Sequence, residues 1–388
     1  MSATPQLDYS KTQPLFGQVL DADGHCYIEP SIMRELVGGV GAGPMQAFLD
    51  DYVRSEEHRT NRAKNIEGLW SVKGISALGA TDPHERVKAL DLMGMKSQLV
   101  FSNTFGCELR IHSAAARQAN SRVNDYYLEW SRATAGRARP AIAINMSEVD
   151  WACSELERVI KAGAKVVTLP TALPPAGVSP AHEKWDRFWA ILQEADVVAT
   201  LHLASGGLMA SADPDPMLPQ REWGDAASLR GAPVARPGGE EAISPYFMLV
   251  AHISPEIFLQ TLVMGGVFER FPRLRFGVIE YGANWVGPCV ERMDLWVEFM
   301  GKIGRTYPMK PSEYVIRNVR VTPFWHENLA RMIERYGLEA VYCFSTDYPH
   351  LEGSRDPIGK FDKWLDRLPA AYKKRFLIDN AKLLFPGE

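Results

Sequence analysis

Alternation constrains this chain more than any other feature. Eight short apolar runs, at 19–25, 98–101, 141–144, 165–169, 197–202, 274–280, 319–322 and 340–345, are separated by stretches of helical period. Nearly all of these runs are apolar throughout rather than every second residue. That is the signature of parallel strands buried on both faces. Eight strand–helix units favour a (β/α)8 TIM barrel, of class α/β, over a doubly wound sheet.

The helix signals agree with this reading. Asp82-Pro83 opens a helix that Gly94 ends, and a long helix is expected from Ser113 to Thr134. Ser147 with Asp150 reads as a capping box for a helix running to Ala162. Further helices are expected at 182–194, 255–268, 286–300, 327–336, 361–365 and 370–384. Residues 28–81 and 204–245 interrupt the alternation. They are expected to be βα-loop insertions that cap the active-site face of one domain spanning 1–388.

Of the 388 residues, 46% are hydrophobic, enough for a sizeable core. A net charge of −4 with both signs interspersed gives no footing for nucleic acid or an anionic membrane. The first residues lack the basic and apolar regions of a signal peptide. No apolar run approaches the ~18 residues needed to span a bilayer. The five cysteines (26, 107, 153, 289 and 343) are scattered and form no C-x-x-C pair, which points to a reducing, cytoplasmic setting. Glycines 38–43 follow no strand-to-helix turn of the kind that cradles phosphate.

In a barrel of this type, catalytic groups come from the C-terminal ends of different strands. Here the first run ends in Asp23 and His25, the fifth in His202, the sixth in Glu280 and the eighth leads to Asp347. Imidazole and carboxylate converging from four strands make a divalent metal site. His350 is either a substrate or second-metal group, or a turn histidine after Pro349. His252 and Trp285 are candidates for the substrate pocket, with Trp70 and Trp223 as further wall residues. Arg292 and Asp294 read as a structural ion pair on one helix.

The chain resembles the amidohydrolase superfamily, in particular its aminocarboxymuconate semialdehyde decarboxylase-like branch. Six stretches carry the resemblance: Asp21-Ala-Asp-Gly-His25, Arg86-Val-Lys-Ala-Leu-Asp-Leu-Met-Gly94, Gly265-Gly-Val-Phe-Glu-Arg-Phe-Pro272, Glu280-Tyr-Gly-Ala-Asn-Trp285, Arg292-Met-Asp294 and Ser345-Thr-Asp-Tyr-Pro-His350. It implies that Asp23, His25, His202 and Asp347 bind metal and that Asp347 also accepts a proton. Two positions depart from the family pattern. Asp23 stands where a first histidine is usual, and Glu280 stands where many relatives have a histidine. Both changes harden the site towards Mn or Fe relative to an all-histidine zinc site, or allow two ions. No strand-four lysine is placed for carbamylation, so a bridge between two metals would be a carboxylate or solvent.

The resemblance implies a metal-dependent hydrolase of C–N or C–C bonds, or a decarboxylase of a small aromatic or unsaturated acid. Asp347 or Glu280 would move the proton, and Zn, Mn or Fe would be the cofactor. Extra carboxylates in the barrel also allow a dinuclear non-haem Fe or Mn/Fe oxygenase, with Glu280 and His350 completing a second metal position. A third reading is a supporting subunit. The expected partners are a small-molecule substrate and either further copies of the chain or a paralogous subunit.

Overall fold

The apolar runs come together as one parallel sheet that curls back on itself. The computed structural model describes residues 14–38, 44–102, 113–171, 173–203, 221–230, 244–304, 306–351 and 353–388. Strand β1 is Val19–Asp21, resumed after a bend at His25–Cys26. It is followed by β2 (Met95–Ser102), β3 (Ala138–Ala143), β4 (Val166–Thr168), β5 (Val198–His202), β6 (Arg275–Ile279) and β7 (Val319–Val321). Each pairs in parallel with the next.

The eighth expected strand forms no continuous ladder, but it closes the barrel. The Val321 amide donates to the Val341 carbonyl (2.9 Å), the Cys343 amide to Val321 (3.1 Å), and the Ala22 amide to Phe344 (3.0 Å). Backbone bonds on both sides leave no open edge there. Valines, leucines and aromatic residues of these strands are almost completely buried, as a sheet covered on both faces requires.

Local chemistry accounts for the helix ends. Asp82 accepts from the amides of His84 and Glu85 at the start of helix Pro83–Met93, and Gly94 ends it in left-handed backbone. Ser113 caps helix Ala114–Ala133 through the Ala116 amide.

Several expectations are corrected. Ser147 caps nothing: its amide is taken by the Asn145 side chain (3.0 Å) and its hydroxyl by Arg117 (3.2 Å). Helix Val149–Lys161 therefore starts without a side-chain cap. The helix expected over 255–268 breaks between Ile253–Met264 and Val267–Arg270, because Gly266 turns to positive φ. Arg292 and Asp294 do not pair, since residues two apart point away from each other on a helix. Arg292 instead reaches Glu256 (2.5 Å), and Asp294 accepts from the Ser312 amide (2.9 Å). A further helix, Pro311–Asn318, precedes β7.

Against the expectation of no membrane-length run, residues Pro245–Met264 are long and apolar enough to cross a bilayer. The helix is interrupted at Ala251–His252, and Phe258, Leu259 and Leu262 are buried in the core.

The insertion at 28–81 carries helices Pro30–Val37, Pro44–Tyr52 and Glu56–Ala63. It is tied to the closing segment: the Gly74 amide donates to Pro349, and the Trp70 ring meets Tyr348 edge-on at 5.5 Å. Cys26, Cys153, Cys289 and Cys343 are buried free thiols. Glycines 39–43, Cys107, His112 and most of 204–245 lie outside the described residues.

Candidate metal centre

The bend in β1 shapes the site. Asp21 pairs with Gln98 and His25 with Phe101, so four steps along β1 match three along β2. The extra residue bulges, and bulges re-aim side chains. Gly24 makes the bend possible, because a Cβ there would come within 2.4 Å of the Gln98 amide. Glu280, just after β6, and Asp347, after the closing segment, are both non-glycine residues at positive φ (65° and 57°). Each costs ~1–3 kcal/mol of backbone strain, a conformation that persists where surrounding structure imposes it, often at functional sites. The Glu280 amide is held by Thr322 Oγ1 (3.0 Å) and the Asp347 amide by the Asp23 carbonyl (3.0 Å).

Six side chains converge here. Asp23, His25, His202 and Glu280 form one group whose ligand atoms all lie within 4.8 Å of one another. His25, Glu280, Asp347 and His350 form a second, sharing His25 and Glu280. His25 Nε2 lies 3.2 Å from Asp347 Oδ1, 3.5 Å from Asp23 Oδ1 and 3.6 Å from Glu280 Oε2. His202 Nε2 lies 3.0 Å from Glu280 Oε2 and 3.3 Å from Asp23 Oδ1. His350 Nδ1 lies 3.3 Å from Asp347 Oδ1 and 3.7 Å from Glu280 Oε1. Asp23, His25 and His350 are at most 1% exposed, while His202 and Asp347 keep 7% and 8%, so the cluster reaches solvent on their side.

The donor set fits a divalent cation. Both ring nitrogens of His25 and both carboxylate oxygens of Asp347 are buried and make no hydrogen bond. Such groups are rare unless another species occupies the space between them. His202 Nδ1 donates to the Leu203 carbonyl (2.8 Å), which turns Nε2 toward Asp23 and Glu280. Nitrogen and oxygen donors without thiolate suit Mn, Fe or Zn.

The electrostatics carry the same signature. Burial pushes the Asp23 carboxyl well above its usual range and the His25 imidazole well below its own. Burial opposes charge on His202 too, but the Glu280 and Asp23 carboxylates hold that imidazolium up at about 10. Burial and the Asp347 charge act to raise Glu280, yet His202 and His350 outweigh them and bring it to about 2. Anions crowded into a dry site call for a positive charge, which a proton on His202 supplies in part and a metal ion supplies in full.

Strand alternation places Asp21 on the same face as Asp23 and His25, among the groups able to bind metal or move protons, but the structure gives it a framing role, together with Arg86 and Glu327. Asp21, although it shares a strand with Asp23 and His25, accepts bonds from Gln98 Nε2 (2.7 Å), the Thr346 amide (2.8 Å) and Thr346 Oγ1 (2.6 Å). Arg86, fully buried, donates to Gln98 Oε1 (2.7 Å), the Gly79 carbonyl (2.8 Å) and the His25 carbonyl. Its guanidinium also lies over the Tyr348 ring at 5.4 Å. Glu327 accepts from the amides of Ala283, Asn284 and Phe324, fixing the turn after Glu280. The only sequence signal for Arg86 was its place in a family-like stretch.

Of the pocket candidates, His252 and Trp285 lie side by side, ring centroids 6.4 Å apart. His252 Nε2 is 3.7 Å from Glu256, and Trp285 Nε1 donates to the Gly282 carbonyl (3.1 Å). No hydrogen bond or ion pair joins either to the cluster among the described residues. Trp223 is 71% exposed.

A parallel α/β barrel with buried imidazoles and carboxylates at its strand ends defines a metal-dependent barrel enzyme. Residues 111–387 match the amidohydrolase family, and the chain belongs to it. No curated protein sequence matches the chain.

Solved structures share the fold. An amidohydrolase from Mycobacterium avium subsp. paratuberculosis K-10 is 19% identical with a TM-score of 0.63, over 95% of this chain and 99% of that one. The 5-carboxyvanillate decarboxylase of Novosphingobium aromaticivorans DSM 12444, complexed with manganese and 4-hydroxy-3-methoxy-5-nitrobenzoic acid, is 17% identical with a TM-score of 0.62, over 95% and 96%. The dihydroxybenzoic acid decarboxylase of Polaromonas sp. JS666, with bound manganese and 2-nitroresorcinol, is 19% identical with a TM-score of 0.59, over 95% and 96%.

Proposed function

We propose that this amidohydrolase-family enzyme decarboxylates a small aromatic or unsaturated acid, with a divalent ion held by Asp23, His25, His202 and Glu280. The observation that carries the reading is that buried quartet, two imidazoles and two carboxylates within 4.8 Å. The manganese-containing decarboxylases of similar fold support it. A divalent ion in such a site polarises a bound carboxylate or carbonyl and lowers the pKa of bound water to about 7.

The chain's own groups do the rest. Loss of CO2 breaks the bond between the carboxyl and the carbon that bore it, leaving an electron pair that must take up one proton. Asp347, the more exposed carboxylate of the cluster, delivers that proton from its Oδ atoms. His350 Nδ1, at 3.3 Å, and His25 Nε2, at 3.2 Å, lie beside Asp347 Oδ1. Phe101 stacks on His202 at 3.9 Å and holds the plane of that imidazole.

The second quartet, His25–Glu280–Asp347–His350, favours an alternative in which two ions share His25 and Glu280 and the enzyme is an oxygenase. Metal content per chain, with CO2 release from a panel of hydroxybenzoic acids under nitrogen, decides between them. Close to one manganese and CO2 release without oxygen supports decarboxylation. Two ions including iron, with turnover that stops without oxygen, replaces it with the oxygenase reading.

A further inference from the structure

Four small residues stand in register across neighbouring strands: Ala143 of β3, Thr168 of β4, Thr200 of β5 and Gly277 of β6. Phe276, the neighbour of Gly277, packs its ring against Phe258 and Phe268 of the outer helices, with centroids 6.3 and 6.0 Å away. Side chains alternate along a strand and register partners share a face, so the other four point to the barrel axis. His202, two residues beyond Thr200, points the same way and reaches the metal cluster. Thr168 therefore stands on the strand next to His202, at the strand end where barrel enzymes place their active sites. The two threonines differ in bonding. Thr200 Oγ1 donates to the Val167 carbonyl (2.8 Å), whereas Thr168 Oγ1 is buried with no hydrogen-bond partner. Thr168 keeps 8% exposure and Ala143 5%, close to the 7% of His202, while Val167, Thr200 and Leu201 are at 0%. The opening over the cluster thus extends along the inner wall to Thr168 and Ala143. A wall of methyl groups with one unpaired hydroxyl fits an apolar body that carries a polar substituent.

We propose that Thr168 is a specificity-determining residue, whose hydroxyl bonds a polar substituent of the substrate acid while the apolar body of that acid lies on Ala143. The inference rests on the decarboxylase reading above and adds the group that tells a substituted acid from a plain one. A threonine hydroxyl both donates and accepts, so it serves a ring hydroxyl or a carbonyl equally. The carboxyl end of the acid belongs to the metal ligands and Asp347, and Thr168 on the strand beside His202 sets how the other end lies. An analogue without the substituent leaves the buried hydroxyl unpaired, and a site built to hydrogen-bond its substrate rejects such an analogue for that reason.

The test is Thr168→Val, which replaces the hydroxyl by a methyl group of similar size, with Thr168→Ser as the conservative control. The manganese-loaded full chain is assayed for CO2 release, and titrated by calorimetry, with benzoic acid and with 2-, 3- and 4-hydroxybenzoic acid. Wild type should favour at least one hydroxylated acid over benzoic acid by ~10- to 100-fold in kcat/KM. Thr168→Val should lose that preference through a raised KM, with kcat within ~3-fold of wild type, because the bond is present in ground and transition states alike. Thr168→Ser should keep the preference. Thr168→Val should also melt no lower than wild type, since it removes a buried hydroxyl that makes no bond within the fold. An unchanged preference in Thr168→Val overturns the role of Thr168 and leaves decarboxylation standing. So does a wild type that decarboxylates plain and hydroxylated acids alike, or a Thr168→Val variant that melts several degrees lower. A wild type that neither binds nor decarboxylates any of these acids overturns the decarboxylase reading, and this inference with it.

Discussion

The imidazoles of His25 and His350 lie stacked face to face, ring centroids 3.6 Å apart and 12° from parallel. Both are fully buried, and His350 is among the groups that keep His25 uncharged. A neutral His25 presents a lone pair to the centre, the form a metal ligand must take. His350 thus acts on the site both through His25 and through Asp347.

Removing a ligand should empty the site. His202→Ala deletes an imidazole of the first quartet only, and metal affinity should drop by at least ~100-fold, with turnover lost alongside it. Elemental analysis of chelator-free protein is the check. An active variant that keeps its full metal content refutes the assignment.

Asp347→Asn separates binding from proton transfer. The first quartet is intact in this variant, so about one ion should stay bound. Turnover should fall ~100- to 10,000-fold, the usual worth of a positioned acid or base. If both metal and activity vanish together, Asp347 is a ligand of the essential ion.

Arg86 supports the site from outside it. Arg86→Leu would leave the His25 and Gly79 carbonyls and the Gln98 side chain without their donor. Stranded buried acceptors cost ~1–3 kcal/mol each, so chemical denaturation should show a loss of several kcal/mol. A variant within ~0.5 kcal/mol of wild type would mean that water takes over the guanidinium's role.

Asp21 makes a pH dependence. Burial raises its carboxyl from 3.8 to about 6 despite the bonds from Thr346 and Gln98. A raised value in the folded state means that the proton favours folding. That contribution is complete below about pH 4 and is lost as pH rises through about 6. Measured with chelator present, wild type should gain on Asp21→Asn by up to ~3 kcal/mol between pH 7 and pH 4. A stability difference that stays flat across that range would place the Asp21 carboxyl near its ordinary value.

Seven of the eight strands and the class of fold were legible in the sequence, because burial on both faces writes itself as local apolar runs. The residues that converge on the centre were legible as well. A barrel sends its strand ends to one rim, so ionisable residues closing those runs could be grouped before any distance was known. Where competing partners are distant in sequence, local reading fails. Ser147 is a good cap by type, yet Arg117, thirty residues away, takes its hydroxyl. The 340–345 run looks like a strand, yet its backbone is divided between Val321 on one side and Ala22 on the other.

The sequence by itself determined the alternation, the chemical kind of each strand end and the family stretches, all of which are carried by residues near one another in the chain. Only the tertiary structure decided that His350, which ends the turn from Asp347, also stacks on His25. It also decided that Asp21 braces Thr346 and Gln98 while Asp23 faces the ligand cluster, and that Arg86 holds the His25 carbonyl across 61 residues of chain. These are contacts between groups far apart in sequence, and their geometry exists only once the barrel has closed.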